Sequence, residues 1–121
     1  MKLSDKEWQV LEALWQAEDG LSLGQTVEAL RPATLWSRNT VLTYLTRMEA
    51  KGLVVIDKTV VPHRYRAGVD REACAAQERR GLLDRVYQGS AGRLVAAFLK
   101  EEKLTAQERE ELRKLLDDME V

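Results

Sequence analysis

Mainly α-helical with a single short β-hairpin near the middle is the fold class that this 121-residue sequence predicts. Helix starts marked by capping residues at Ser4, Ser22, Ser37, Asp70, Ser90 and Thr105 are each followed by apolar positions at helical spacing. Only Leu53-Val54-Val55-Ile56 changes to a β-branched pattern that fits a strand.

In chain order, Leu3-Ser4-Asp5-Lys6-Glu7-Trp8 opens the first helix: Ser4 and Glu7 fit a capping box, and Leu3 with Trp8 fit a hydrophobic staple. Trp8, Leu11, Leu14 and Trp15 continue its apolar stripe to about Ala17, where Asp19-Gly20 supplies turn chemistry. Both tryptophans read as packing residues. Leu21-Ser22-Leu23 is too short for more than a bridge, while Ser22 caps a second helix reaching about Arg31 with Val27 and Leu30 inward. Pro32 pushes Arg31 out of the helical region and ends it.

The third helix, Trp36 to Gly52, points to a function. Val41, Leu45 and Met48 recur at i, i+4, i+7 as a packing stripe, and Thr40, Thr43 and Arg47 recur at i, i+3, i+7 on roughly the opposite side. Ser37 serves as N-cap and Gly52 as the left-handed exit. The outward hydroxyls, the Asn39 amide and the Arg47 guanidinium suit base edges and phosphates. Leu53–Ile56 and His63–Arg66 then form the arms of a hairpin, with its turn over Asp57 to Pro62 and the unexpectedly apolar Val60-Val61 at the tip. Helix, short extended piece, helix, turn, longer helix and hairpin make a winged helix-turn-helix.

Gly68 marks a boundary between a winged-helix DNA-binding domain, residues 1–68, and a helical dimerisation domain, residues 69–121. Asp70 caps a helix through about Gln88 with Leu82, Leu83, Val86 and Tyr87, in which Gly81 costs about 1 kcal/mol relative to alanine. Gly89-Ser90 breaks it; Leu94, Val95, Phe98 and Leu99 mark the next helix, and a second capping box at Thr105 and Glu108 opens the last, with Leu112, Leu115, Leu116 and Met119. A segment of roughly 50 residues buries too little surface for comfortable independent stability. A second copy is the expected partner, with Leu82, Val86, Tyr87, Leu94, Phe98, Leu112, Leu115, Leu116 and Met119 at a twofold interface. The charges from Glu101 to Asp118 read as an exposed face laced with i, i+4 pairs.

The net charge of −1 argues against a nucleic-acid partner until it is divided along the chain. Residues 1–35 carry −3, 36–67 carry +4, 68–100 carry +2 and 101–121 carry −4. The positive part holds the third helix and the hairpin, and phosphates respond to the local field. Arg38, Asn39, Thr40, Thr43, Thr46, Arg47, Lys51 and Arg64 are therefore the candidate DNA contacts, within a basic cluster that includes Lys58 and Arg66. One His and one Cys give no zinc-ligand spacing, and His63 and Cys74 read as a solvent- or phosphate-facing residue and a buried or inert thiol. No Ser/His/Asp set, Gly-rich phosphate loop or carboxylate pair suggests an enzyme, and no catalytic residue or cofactor is expected. With no apolar run of about 18 residues and no basic, then apolar, leader, a cytoplasmic protein without membrane insertion is expected. A winged-helix module that docks a partner protein instead would favour an apolar outer face on the third helix, and here that face is polar.

Together these features resemble the BlaI/MecI family of bacterial winged-helix repressors. The likeness rests on the opening helix with its paired tryptophans, Asn39-Thr-Val-Leu-Thr-Tyr-Leu-Thr-Arg-Met-Glu-Ala-Lys-Gly-Leu53, Tyr65-Arg66, Leu83-Asp-Arg-Val-Tyr-Gln-Gly89, and Leu94-Val-Ala-Ala-Phe98 followed by Leu104-Thr-Ala-Gln-Glu-Arg-Glu-Glu-Leu112. The resemblance implies a homodimeric repressor on an inverted-repeat operator, with its third helix in the major groove and the Thr40, Thr43 and Arg47 positions at the groove face. The Leu42 position can be arginine in the penicillinase repressors; leucine here shifts the expected readout toward thymine methyls and DNA shape. It also implies release by a membrane-bound sensor metalloprotease. The matching bond is Ala97–Phe98, with alanine where the penicillinase repressors have asparagine, and packing in a dimer core is the other reading of Phe98.

Overall fold

The computed structural model describes residues 2–101 and 103–119, and contacts divide the chain into two compact units, Met1–Glu78 and Arg79–Val121. The first contains α1 (Asp5–Trp15), α2 (Leu23–Leu30), α3 (Arg38–Ala50), β1 (Val54–Asp57) and β2 (Arg64–Ala67). Local chemistry sets each start. The Ser4 hydroxyl accepts from the Glu7 amide at 3.1 Å, and the Glu7 carboxylate accepts from the Ser4 amide at 3.0 Å. Ser22 and Gln25 repeat that box on α2, a reciprocal partner that the sequence reading did not identify. Ser37 caps α3 by accepting from the Thr40 amide at 3.2 Å, and Gly52 leaves the helix at φ +80°, where a side chain would be strained.

Val10, Leu11 and Leu14 of α1, Leu30 of α2, Val41, Leu45 and Met48 of α3, and Leu53, Val54 and Tyr65 of the hairpin form one buried core. The fully buried Thr26 joins them because its hydroxyl donates to the Ser22 carbonyl at 2.8 Å, so the hydroxyl is not buried unpaired. The strands pair antiparallel from Val54↔Ala67 to Asp57↔Arg64, so Leu53 and His63 fall just outside them. Leu21 adds the expected bridge: its amide donates to the Tyr65 carbonyl at 2.9 Å, and the Tyr65 amide donates back at 2.7 Å. Gly20 precedes it at φ +81°, where a Cβ would lie 2.7 Å from Arg66 Cγ and 2.9 Å from the Tyr65 carbonyl oxygen. Only glycine fits there.

The compact unit continues beyond Gly68 because several contacts hold the next segment. The Trp15 indole donates to the Val69 carbonyl at 2.9 Å, and the Arg71 guanidinium pairs with Glu12 at 3.1 Å. Arg71 also lies 5.9 Å from the ring centres of both Trp8 and Trp15, which meet edge to face at 5.4 Å. The tryptophans are half-buried against the core as packing residues, and Cys74 packs there too.

α4 (Arg71–Val86) starts in the first unit and ends in the second, which also holds α5 (Ala91–Glu101) and α6 (Ala106–Asp118). Asp70 accepts from the Ala73 amide at 3.0 Å, Ser90 from the Arg93 amide at 3.2 Å, and Thr105 forms its capping box with Glu108. None of these three helices contains a buried residue. The expected lacing of charges along α6 is corrected: no ion pair joins its described residues, and Gln107 donating to Glu111 at 3.2 Å is the side-chain link within the helix. Water screens these exposed charges, so little energy opposes the freedom of long side chains.

Candidate nucleic-acid interface

α3 presents its packing and outward residues on different sides. At about 100° per residue, Thr43, Arg47 and Thr40 span roughly 60° of arc, with Asn39 to one side and Tyr44 to the other. Asn39, Thr40, Thr43, Tyr44 and Arg47 line one shallow depression of about 260 Å³. Four of the eight expected contacts therefore meet on one surface. Thr40 and Ser37 share a hydroxyl hydrogen bond at 3.1 Å, and the Thr43 hydroxyl donates to the Asn39 carbonyl at 2.9 Å, leaving its oxygen able to accept. Arg47 makes no side-chain hydrogen bond or ion pair with the described residues.

The other four expected contacts have different surroundings. Thr46 is exposed, farther round α3 near the exposed Leu42. Arg38 lines a second hollow, of about 380 Å³, with Ser22, Gly24, Pro62, His63 and Tyr65. Arg64 donates from Nε to the Asp19 carbonyl at 3.1 Å and from Nη2 to the Gly20 carbonyl at 2.7 Å, tying the wing to the turn after α1. Both partners are neutral carbonyls, so neither acts as a counter-ion to the guanidinium.

Lys51 reaches from the C-cap of α3 to Glu7 of α1, Nζ to Oε2 at 2.8 Å. The Glu7 side chain is 9% exposed and that of Lys51 52%. Burial pushes the Glu7 carboxyl up, but the Lys51 ammonium and the Ser4 amide and hydroxyl together outweigh it and hold the group below its usual value. At the wing, the Thr59 hydroxyl and amide hold Asp57 below the ordinary carboxylate range, and Lys58 lies 3.7 Å from Glu49 of α3. Val60 and Val61 remain at the tip, the latter 95% exposed.

Trp36 and Tyr44 escaped the sequence reading as members of this surface. Their rings stack with centroids 4.7 Å apart and planes 10° from parallel. The eight-residue separation across the α3 N-cap was the available signal, because Tyr44 lies one helical turn beyond Thr40.

No helix among the described residues is long and apolar enough to cross a membrane, and no group of three or more His, Cys, Asp or Glu among them could hold a metal ion. Several known proteins are similar to this chain. It is 28% identical over 116 residues to the methicillin resistance regulatory protein MecI of Staphylococcus aureus, covering 96% of this chain and 94% of that protein. The penicillinase repressor of Bacillus licheniformis is 25% identical over 117 residues, covering 97% and 91%. In structure, the fold resembles monomeric BlaI of B. licheniformis in complex with the blaP half-operator, with a TM-score of 0.52 at 24% identity over 60% of this chain and 87% of that one. The penicillinase repressor family matches residues 3–118, and this chain, a winged helix with three further helices, belongs to that family.

Proposed function

We propose that the protein is a homodimeric transcriptional repressor that binds an inverted-repeat operator in double-stranded DNA, with α3 in the major groove. The observation that carries this reading is the polar depression on α3, where Asn39, Thr40, Thr43 and an Arg47 with no ion pair among the described residues stand together on a helix anchored by its opposite face. Such a face offers donors and acceptors to base edges, and Arg38 and Arg66 add positive charge near the phosphates. Its polarity favours DNA over a protein partner. Gel shifts with the DNA upstream of the protein's own gene test the reading at low salt: a shifted band that weakens as salt rises is expected, and no shift at low salt refutes it.

Dimerisation is proposed through the apolar faces of the second unit. Val86 is 47%, Phe98 53%, Leu115 61%, Leu116 59% and Met119 67% exposed, an amount of apolar surface that a second copy would remove from water. Leu82 is exposed as well, while Tyr87, Leu94 and Leu112 are half-buried within the unit. Two copies would place two reading heads on one operator. For release, the proposed route is cleavage of Ala97–Phe98 by a membrane-bound sensor metalloprotease. The bond lies inside α5, so cutting it requires that helix to unwind locally. Co-expression with the sensor and its inducer yields a cleaved chain under this route; intact chain throughout excludes it.

A further inference from the structure

Tyr44 sits about 40° round α3 from Thr40, between the outward polar face and the buried stripe. Its half-buried ring lies flat on the half-buried Trp36. Neither the Tyr44 hydroxyl nor the Trp36 indole N–H has a hydrogen-bond partner among the described residues. No polar side-chain atom cut off from solvent lacks a partner there, so both donors reach solvent. The hydroxyl belongs to a residue that lines the same depression as Thr43 and Arg47.

We propose that the Tyr44 hydroxyl donates a hydrogen bond to a DNA backbone phosphate at the wall of the major groove, with Trp36 as its positioning residue; this rests on the reading of α3 as the groove helix. A helix with its side chains is about 10–12 Å across, close to the roughly 12 Å width of the groove. The centre of its outward face meets base edges, and residues on its flank meet the sugar-phosphate walls. Tyr44 is such a flank residue. Stacking on Trp36 restricts the ring before DNA arrives and reduces the ordering cost of the contact. A neutral donor displaces no condensed cation, so this contact adds affinity without steepening the dependence on salt, unlike a contact from Arg47.

The test uses the full chain and the duplex that it selects from random-sequence DNA. Tyr44→Phe keeps the stack and removes the hydroxyl; it should weaken binding about tenfold with an unchanged salt slope and an unchanged unfolding transition. Replacing the phosphates one at a time by uncharged methylphosphonates should reveal one position where the wild type loses affinity and Tyr44→Phe does not. Trp36→Ala should lose as much as Tyr44→Phe or more, and Trp36→Phe should restore most of it. Binding by Tyr44→Phe within twofold of wild type overturns the proposal, as does a loss that follows base changes and ignores every phosphate replacement. If Arg47→Ala still weakens binding in that case, the groove-helix reading stands alone; if the wild type selects no duplex, both fall.

Discussion

Lys51→Met is expected to destabilise the protein by about 1.5 kcal/mol at pH 7, with most of that loss disappearing in acid. Coulomb attraction across the 2.8 Å contact between Lys51 and Glu7, at an effective dielectric of about 20, is roughly 6 kcal/mol. Much of it is offset by the dehydration of Glu7, and water around the half-exposed Lys51 screens part of the remainder. The net lies between the 0.2–1 kcal/mol typical of surface pairs and the roughly 3–5 kcal/mol lost when a buried pair is broken. Because the folded Glu7 carboxyl is held below its unfolded value of 4.5, its contribution is fully present above that pH and is lost as pH falls through the folded value. Urea unfolding should show a midpoint lowered by about 1 M at pH 7, with the two midpoints converging as the pH falls below the folded Glu7 value. Equal midpoints at pH 7 would refute the pairing, and a gap that does not narrow as the pH falls would assign the loss to something other than Glu7 ionisation.

Gly20→Ala should cost about 2 kcal/mol or more in thermal unfolding, since φ is +81° and the added Cβ would collide with the Tyr65 carbonyl as well as with the Arg66 side chain. Thr43→Ala should relax base preference by roughly 1–3 kcal/mol at one position, read by competition with single-base variants of the selected duplex. Arg47→Ala, for a phosphate contact, should weaken binding uniformly across those variants and reduce the salt slope by about one per reading head. Phe98→Asp places a charge on an apolar face and should convert a dimer to a monomer in sedimentation, with near-normal melting of the first unit.

What could be inferred from sequence was local chemistry. Ser4 with Glu7 and Thr105 with Glu108 lie three residues apart, so their reciprocal hydrogen bonds are encoded within one helical turn. The stripe of Val41, Leu45 and Met48 was equally plain, since burial of one helix face imposes its period on the sequence. Long-range polar contacts leave no such trace. Glu7 meets Lys51 across 44 residues, Arg64 reaches the carbonyls of Asp19 and Gly20, and Trp15 meets the carbonyl of Val69. Each depends on where the chain returns after turning. Thr26 was missed for a related reason: a threonine resembles a surface residue until its hydroxyl pairs with the carbonyl one turn back and its methyl joins the core.

These long-range contacts change how the charge around α3 acts. The excess of +4 over residues 36–67 includes Lys51 and Lys58, but Lys51 is matched by Glu7 from outside that segment and Lys58 lies beside Glu49 within it. Within residues 36–67, the cations left without a carboxylate within 4 Å among the described residues are Arg38, Arg47, Arg64 and Arg66, and Arg64 is also fastened to two backbone carbonyls. On the proposed reading of α3, these four charges set the share of this segment in the electrostatic part of binding, whose salt slope is about 0.9 per phosphate neutralised. A segment with so few free cations leaves more of the affinity of α3 and the wing to neutral groups set in place by the fold. The Thr40 and Thr43 hydroxyls, tied to Ser37 and to the Asn39 carbonyl, and Tyr44, stacked on Trp36, are groups of that kind. Their positions in the folded unit favour sequence and geometry over charge as the basis of discrimination.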